Sequence, residues 1–273
     1  MNPIARKYEQ RSKAVDSFLC VGLDPVMQKL PQRFRSQDRP FFAFNRWLID
    51  ETAAHTAAYK LNMAFYEARG VDGYIELKMT IEYLREHHPE IMTICDAKRG
   101  DTANTNQGYV SALFDELGFD AVTLHPYLGA EALAPFLERQ DKACILLCRT
   151  SNPGATEFQD LEAGGQPLWL TVAQRVAEEW DTDGNCMLVV GATYPSEMSR
   201  IRAIAPRTTF LVPGIGAQGG DVNAVVAAGM TADGGGLIVS SSREIIYADD
   251  PAAAARAAKN AINAARTAAH ASR

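Results

Sequence analysis

Several things are scarce in this chain of 273 residues, and each scarcity excludes something. No apolar run is long enough to cross a bilayer, and the opening MNPIARKYEQRSK lacks the apolar stretch of a secretory signal. Positive charge is not in excess. Lys and Arg number 27 against 33 Asp and Glu, a net charge of −6, which argues against a nucleic-acid binder or a protein held on anionic membranes. The five cysteines form no CxxC and no Cys/His spacing that suggests zinc. They fall in or beside apolar runs and read as buried thiols in a reducing cytoplasm. No Pro/Ser-rich linker divides the chain, so a single domain over 1–273 is expected, with its core at about 16–250 and an alanine-rich helix over 251–273. An apolar share of 47% is ample for a core at this length.

What is present is an alternation. Eight short apolar or β-branched runs recur: Phe18–Gly22, Ala58–Asn62, Ile91–Cys95, Ala121–Leu124, Ala143–Cys148, Met187–Val190, Phe210–Val212 and Leu237–Ser240. Segments of helical character separate them, such as Phe41–Thr56, Gly73–His87, Thr105–Leu117 and Leu168–Trp180. Strict strand–helix alternation implies parallel strands joined by right-handed crossovers. Eight such units in about 250 residues predict an α/β fold, the (β/α)8 TIM barrel, with a doubly wound open sheet as the alternative. The longest irregular stretch, 150–167, follows the fifth strand and reads as a lid over the catalytic face.

Chemistry gathers where the strands end. The sequence Asp96-Ala97-Lys98-Arg99-Gly100-Asp101 follows the third apolar run. Side chains alternate along a strand, so Asp96 and Lys98 share a face, and Asp101 falls in the loop beyond. Two carboxylates around an ammonium keep the lysine charged and repel any further anion, which suits a proton donor beside an electrostatic stress point. The other strand ends contribute Asp24, Lys60, His125, Ser151 and Arg243. His125, followed by proline, reads as a hydrogen-bonded loop residue rather than a base. After the seventh run, PGIGAQGG (213–220) offers backbone N–H groups before a helix, and Arg243 adds a fork of donors, together a phosphate site.

With these motifs in hand, the chain resembles the orotidine 5′-phosphate decarboxylase family, in its longer sequence class, from Val21 to Tyr247. The signature D-x-K-x-x-D-T/I-x-x-T is present as Asp96, Lys98, Asp101 and Thr105. LDP (23–25), KLNMAFYE (60–67), HPYLG (125–129), TSNPGA (150–155), VVGATYP (189–195), VPGIGAQGG (212–220) and SSREIIYA (241–248) follow in the family's order. The resemblance implies decarboxylation of orotidine 5′-monophosphate to uridine 5′-monophosphate and CO2, the last step of de novo pyrimidine synthesis, with no cofactor and no metal. It assigns catalysis to Lys98, Asp96, Asp101 and Lys60. Asp24 and Thr105 would contact the substrate, Ser151 its pyrimidine edge, and Gln218, Gly219 and Arg243 its phosphate. It also implies a cytoplasmic homodimer in which Asp101 and Thr105 reach into the partner's site. Three rivals remain: a metal-dependent sugar-phosphate relative, which needs an acid where Lys60 stands; a Schiff-base aldolase; and a phosphate-ligand binding protein without chemistry.

Overall fold

Eight strands pair edge to edge, all parallel, and close on themselves in a computed structural model that describes residues 2–215 and 220–271. In chain order the barrel strands are β1 (Leu19–Gly22), β2 (Ala58–Asn62), β3 (Met92–Arg99), β4 (Ala121–Leu124) and β5 (Ala143–Arg149). A small antiparallel pair, β6 (Glu162–Ala163) and β7 (Gln166–Pro167), lies outside the barrel. The barrel resumes with β8 (Cys186–Val190), β9 (Phe210–Val212) and β10 (Leu237–Ser241), and β10 closes on β1 through Leu19–Val239 and its neighbours. Closure makes this a (β/α)8 barrel and excludes the open sheet.

The strands are buried on both faces, which is why they read as near-continuous apolar runs. Cys20, Ala58, Ile94, Ile145 and Val189 point inward, while Leu19, Tyr59, Cys95, Leu146 and Val190 pack against the surrounding helices. All five cysteines are buried and free of disulfides, and burial pushes the Cys20 and Cys148 thiols up to about 12. They stay protonated at neutral pH.

One element was hidden by its polarity. The opening residues form a helix, Pro3–Ala14, started by Asn2, whose carboxamide oxygen accepts from the N–H groups of Ile4 and Ala5. Ile4 and Tyr8, one turn apart, plug the amino-terminal end of the barrel among the interior side chains, and the Tyr8 hydroxyl donates to the carbonyl of Leu237. The alanine-rich segment is the helix Pro251–Ala271. Among the described residues, no helix is long and apolar enough to cross a membrane.

Candidate active site

At the carboxyl end of the barrel the interior changes from apolar to charged. β2 carries Lys60 one pleat above Ala58, and β3 carries Asp96 one pleat above Ile94; the two strands pair Asn62 with Asp96. Lys60 Nζ lies 3.0 Å from Asp96 Oδ2 and 4.0 Å from Asp24 Oδ2. Lys98 Nζ lies 2.6 Å from the other Asp96 oxygen. A continuous row of alternating charges, Asp24–Lys60–Asp96–Lys98, therefore crosses the mouth. Lys60, Asp24 and Asp96 are nearly buried, at 9%, 13% and 11% side-chain exposure, whereas Lys98 is 44% exposed and faces the cavity.

A local irregularity aims the last two. Cys95 pairs with Val122 and Arg99 with Leu124, so β3 holds two more residues than β4 across this interval. Lys98 takes a left-handed backbone, φ +47°, which a residue with a Cβ adopts only where its surroundings enforce it. Thr123 enforces it here, its Oγ1 accepting from the Lys98 N–H at 2.9 Å and donating to Asp96 Oδ1 at 2.9 Å. Gly100 follows because a Cβ there would stand 2.8 Å from the carbonyl oxygen of His125. The Asp24 carboxylate is fixed in turn by the N–H of Asn62 at 3.0 Å and the Ser242 hydroxyl at 3.2 Å.

Burial alone would raise the Asp96 pKa, but the ammonium groups of Lys60 and Lys98 outweigh it and hold the carboxyl well below the usual range. For Lys60, burial opposes the charge, and Asp24 and Asp96 more than offset it, so its pKa rises. Desolvation and the Lys98 charge lower the His125 imidazole, which is therefore mostly neutral at pH 7. Asp96 and Lys60 are therefore both charged at neutral pH.

Two cavities meet at Lys60 and Pro213. The larger, about 1000 Å³, is lined by Asp96, Lys98, Thr123 and Ser151, with Phe158 and Trp169 on its apolar side. The smaller, about 210 Å³, is lined by Asp24, Lys29, Gly214, Ser242, Arg243 and Tyr247. The first suits a flat, partly polar ring and the second an anionic group at the ends of β9 and β10.

Of the residues singled out from sequence, Asp24, Lys60, Asp96, Lys98, Ser151 and Arg243 come together around this space. Asp101 and Thr105 do not line it: Asp101 is half-buried in the following loop and Thr105 is exposed on the helix Ala103–Val110. Gln218 and Gly219 lie outside the described residues. Sequence reasoning missed Thr123, whose signal was a hydroxyl at an inward position of an otherwise apolar strand, and Asn62, whose side chain reaches Asp96 at 3.5 Å.

Fold and site thus define a (β/α)8 barrel with a carboxylate–ammonium centre at its carboxyl-terminal mouth. The chain matches the orotidine 5′-phosphate decarboxylase / HUMPS family over residues 17–258, and it belongs to that family. It is 45% identical over 273 residues to the orotidine 5′-phosphate decarboxylase of Azoarcus sp. strain BH72, covering 97% of this chain and 99% of that protein. To the protein of the same name from Cellvibrio japonicus it is 47% identical over 260 residues, covering 92% and 94%. The solved OMP decarboxylase of Leishmania donovani superposes with a TM-score of 0.87 at 38% identity, covering 98% of this chain and all of that one. The chain is accordingly a decarboxylase of pyrimidine biosynthesis, a carbon–carbon lyase.

Proposed function

We propose that this protein converts orotidine 5′-monophosphate to uridine 5′-monophosphate and CO2 without a cofactor, as one domain acting in the cytoplasm. The observation that carries this reading is the row Asp24–Lys60–Asp96–Lys98 at a single mouth. Asp96, held as a carboxylate by two ammonium groups, stands where the substrate carboxylate must enter, and repulsion between the two favours loss of CO2. Lys98 Nζ faces the carbon left behind, C6, where it stabilises the developing negative charge and then delivers a proton. Lys60 holds Asp96 and Asp24 in place, and Asp24 receives the ribose hydroxyls. Ser151 meets the pyrimidine edge; Arg243, with Gln218 and Gly219, takes the phosphate.

Magnitudes show that no single group suffices. One ion pair at 4 Å offers about 4 kcal/mol at an effective dielectric near 20, whereas enzymatic accelerations need roughly 8–23 kcal/mol. Binding at the phosphate end and exclusion of water by the 150–167 segment must supply the remainder. Lys60 also weakens the metal-dependent alternative, because its ammonium stands between the two carboxylates that would otherwise receive a cation.

The functional unit is a homodimer, with Asp101 and Thr105 completing the partner's site. Their position outside their own cavity supports this. So does the exposure of Val71, Tyr74, Ile75, Tyr127 and Leu128 on the elements that follow β2 and β4, flanking the Asp101 loop. Ultraviolet absorbance of orotidine 5′-monophosphate with purified protein tests the reading. Loss of signal that ignores EDTA is expected, and loss that EDTA stops would return the metal-dependent alternative.

A further inference from the structure

β5 changes face just before it enters the site. Leu147 pairs with Val189 and Arg149 with Val190, so Cys148 is an extra residue, a β-bulge. Strict alternation would point Arg149 inward with Ile145 and Leu147. The bulge turns it the other way, and Arg149 does not line the cavity although Cys148, Thr150 and Ser151 do. Its side chain is nonetheless only 2% exposed.

The buried guanidinium joins three elements. It lies over the Tyr194 ring, 4.0 Å from the centroid. Its Nη1 is 3.0 Å from Asp160 Oδ1, and its Nη2 donates to Asp160 Oδ2 at 3.4 Å. Glu197 stands 3.9 Å from Nη2; Nε and Nη1 have no hydrogen-bond partner among the described residues, so Nη1 meets Asp160 as an ion pair only. Asp160 belongs to the 150–167 segment, whereas Tyr194 and Glu197 belong to the start of the helix Pro195–Ile204 that follows β8. Taking a guanidinium out of water is costly, and among the described residues these two carboxylates and the Tyr194 ring offset that cost. The segment carrying Asp160 is thereby tied down.

What it ties down faces the site. Gln159, beside Asp160, accepts from the Thr150 N–H at 2.9 Å and donates to the Thr150 hydroxyl at 2.7 Å. Ser151 is seated against Gly191, where an added Cβ would lie 2.9 Å from the Ser151 nitrogen, and the Gly191 N–H donates to the Arg149 carbonyl at 2.8 Å. We propose that Arg149 is a positioning residue that latches the 150–167 segment to the Pro195–Ile204 helix, and so fixes Ser151 and Gln159 at the ring end of the cavity. Only the kinetic arm of its test rests on the function proposed above.

Glutamyl endopeptidase can cut this segment after Glu157 or Glu162, both exposed. In the full chain without ligand, Arg149→Gln and Asp160→Asn should be cut there about tenfold faster, with cleavage elsewhere unchanged. Arg175→Gln, which removes only an exposed pair with Glu179, should behave as wild type. The same two variants should raise KM for orotidine 5′-monophosphate about tenfold with kcat within about threefold, because reordering the segment is charged to binding. Arg149→Lys should recover part of that loss. Unchanged cleavage in both variants, or faster cleavage with unchanged KM, would overturn the proposal. So would faster cleavage along the whole chain with a lowered Tm, which marks a merely structural residue. Asp160 is 41% exposed, so Asp160→Asn carries the test if Arg149→Gln does not fold. If wild type leaves orotidine 5′-monophosphate untouched, the cleavage arm still decides the latch, and the function fails separately.

Discussion

The Thr123 hydroxyl of β4 receives the backbone N–H of Lys98 on β3 at 2.9 Å, holding a lysine in left-handed backbone geometry. The same oxygen donates to Asp96, so one hydroxyl sets both ends of the ion pair. Thr123→Val keeps the shape and removes both bonds, leaving the Lys98 N–H without its acceptor. It should lower kcat about tenfold or more with a smaller change in KM. Steady-state kinetics check this, and an unchanged kcat would show that the lysine needs no such support.

Arg243 lines the smaller cavity and is an exposed cation at the ends of β9 and β10. Arg243→Ala should reduce kcat/KM about 10- to 100-fold, the range of one or two charge-assisted hydrogen bonds. For orotidine, which lacks the phosphate, the same substitution should change almost nothing. An equal loss with both substrates would remove the phosphate from this end.

The charged row has a pH signature. Asp96 titrates lower in the folded chain than unfolded, so its contribution is whole above about pH 4 and fades as pH falls through the folded value. Lys60 titrates higher in the folded chain, so its contribution is whole below about pH 10 and fades only above that. Both act fully from about pH 4 to 10. Urea unfolding should show Asp96→Asn losing less stability than wild type between pH 5 and 3. Parallel losses would mean that Asp96 is not held low.

Glu76 offers a contrast away from the site. Fully buried, it accepts from the N–H groups of Phe41 and Phe42 at 2.6 and 2.9 Å, at the start of the helix Pro40–Thr52, and pairs with Arg69 at 2.8 Å. Glu76→Ala leaves a guanidinium and two amides unanswered and should cost about 3–5 kcal/mol in urea unfolding. The folded variant should keep its kcat. A large kcat loss would tie this helix to the chemistry.

A composite dimer has a distinctive test. Asp101→Asn and Lys98→Ala homodimers should each be nearly inactive, yet after unfolding and refolding together about a quarter of wild-type activity should return. Half the dimers then pair unlike chains, and each carries one intact site. No recovery would place Asp101 and Lys98 in one chain's own site, or show that the pair does not exchange.

Most of the barrel was legible because a strand buried on both faces leaves an unbroken apolar run; β2, β4 and β9 begin and end where their runs do. β3 runs four residues past Cys95 because Asp96 still pairs with Asn62 of β2 and the irregular register returns Arg99 to Leu124 of β4. The helix Pro3–Ala14 escaped notice because only Ile4, Tyr8 and Ser12 along it are buried. The 150–167 segment holds a 3-10 turn (Pro153–Glu157) and the β6–β7 pair, which no periodicity announces. At the site, Asp24, Lys60, Asp96, Lys98 and Arg243 stood out because charge at the end of an apolar strand is conspicuous. Thr123 and Arg149 did not. A hydroxyl is tolerated inside any strand, and a strand-end arginine reads as exposed until a bulge is seen to bury it.

The most direct test of the account is turnover of orotidine 5′-monophosphate at saturation, followed by absorbance, by wild type and by Lys98→Ala. With Lys98 as both charge stabiliser and proton donor, kcat should fall about 10⁴-fold or more, and EDTA should leave the wild-type rate unchanged. Near-normal turnover in Lys98→Ala would contradict the account.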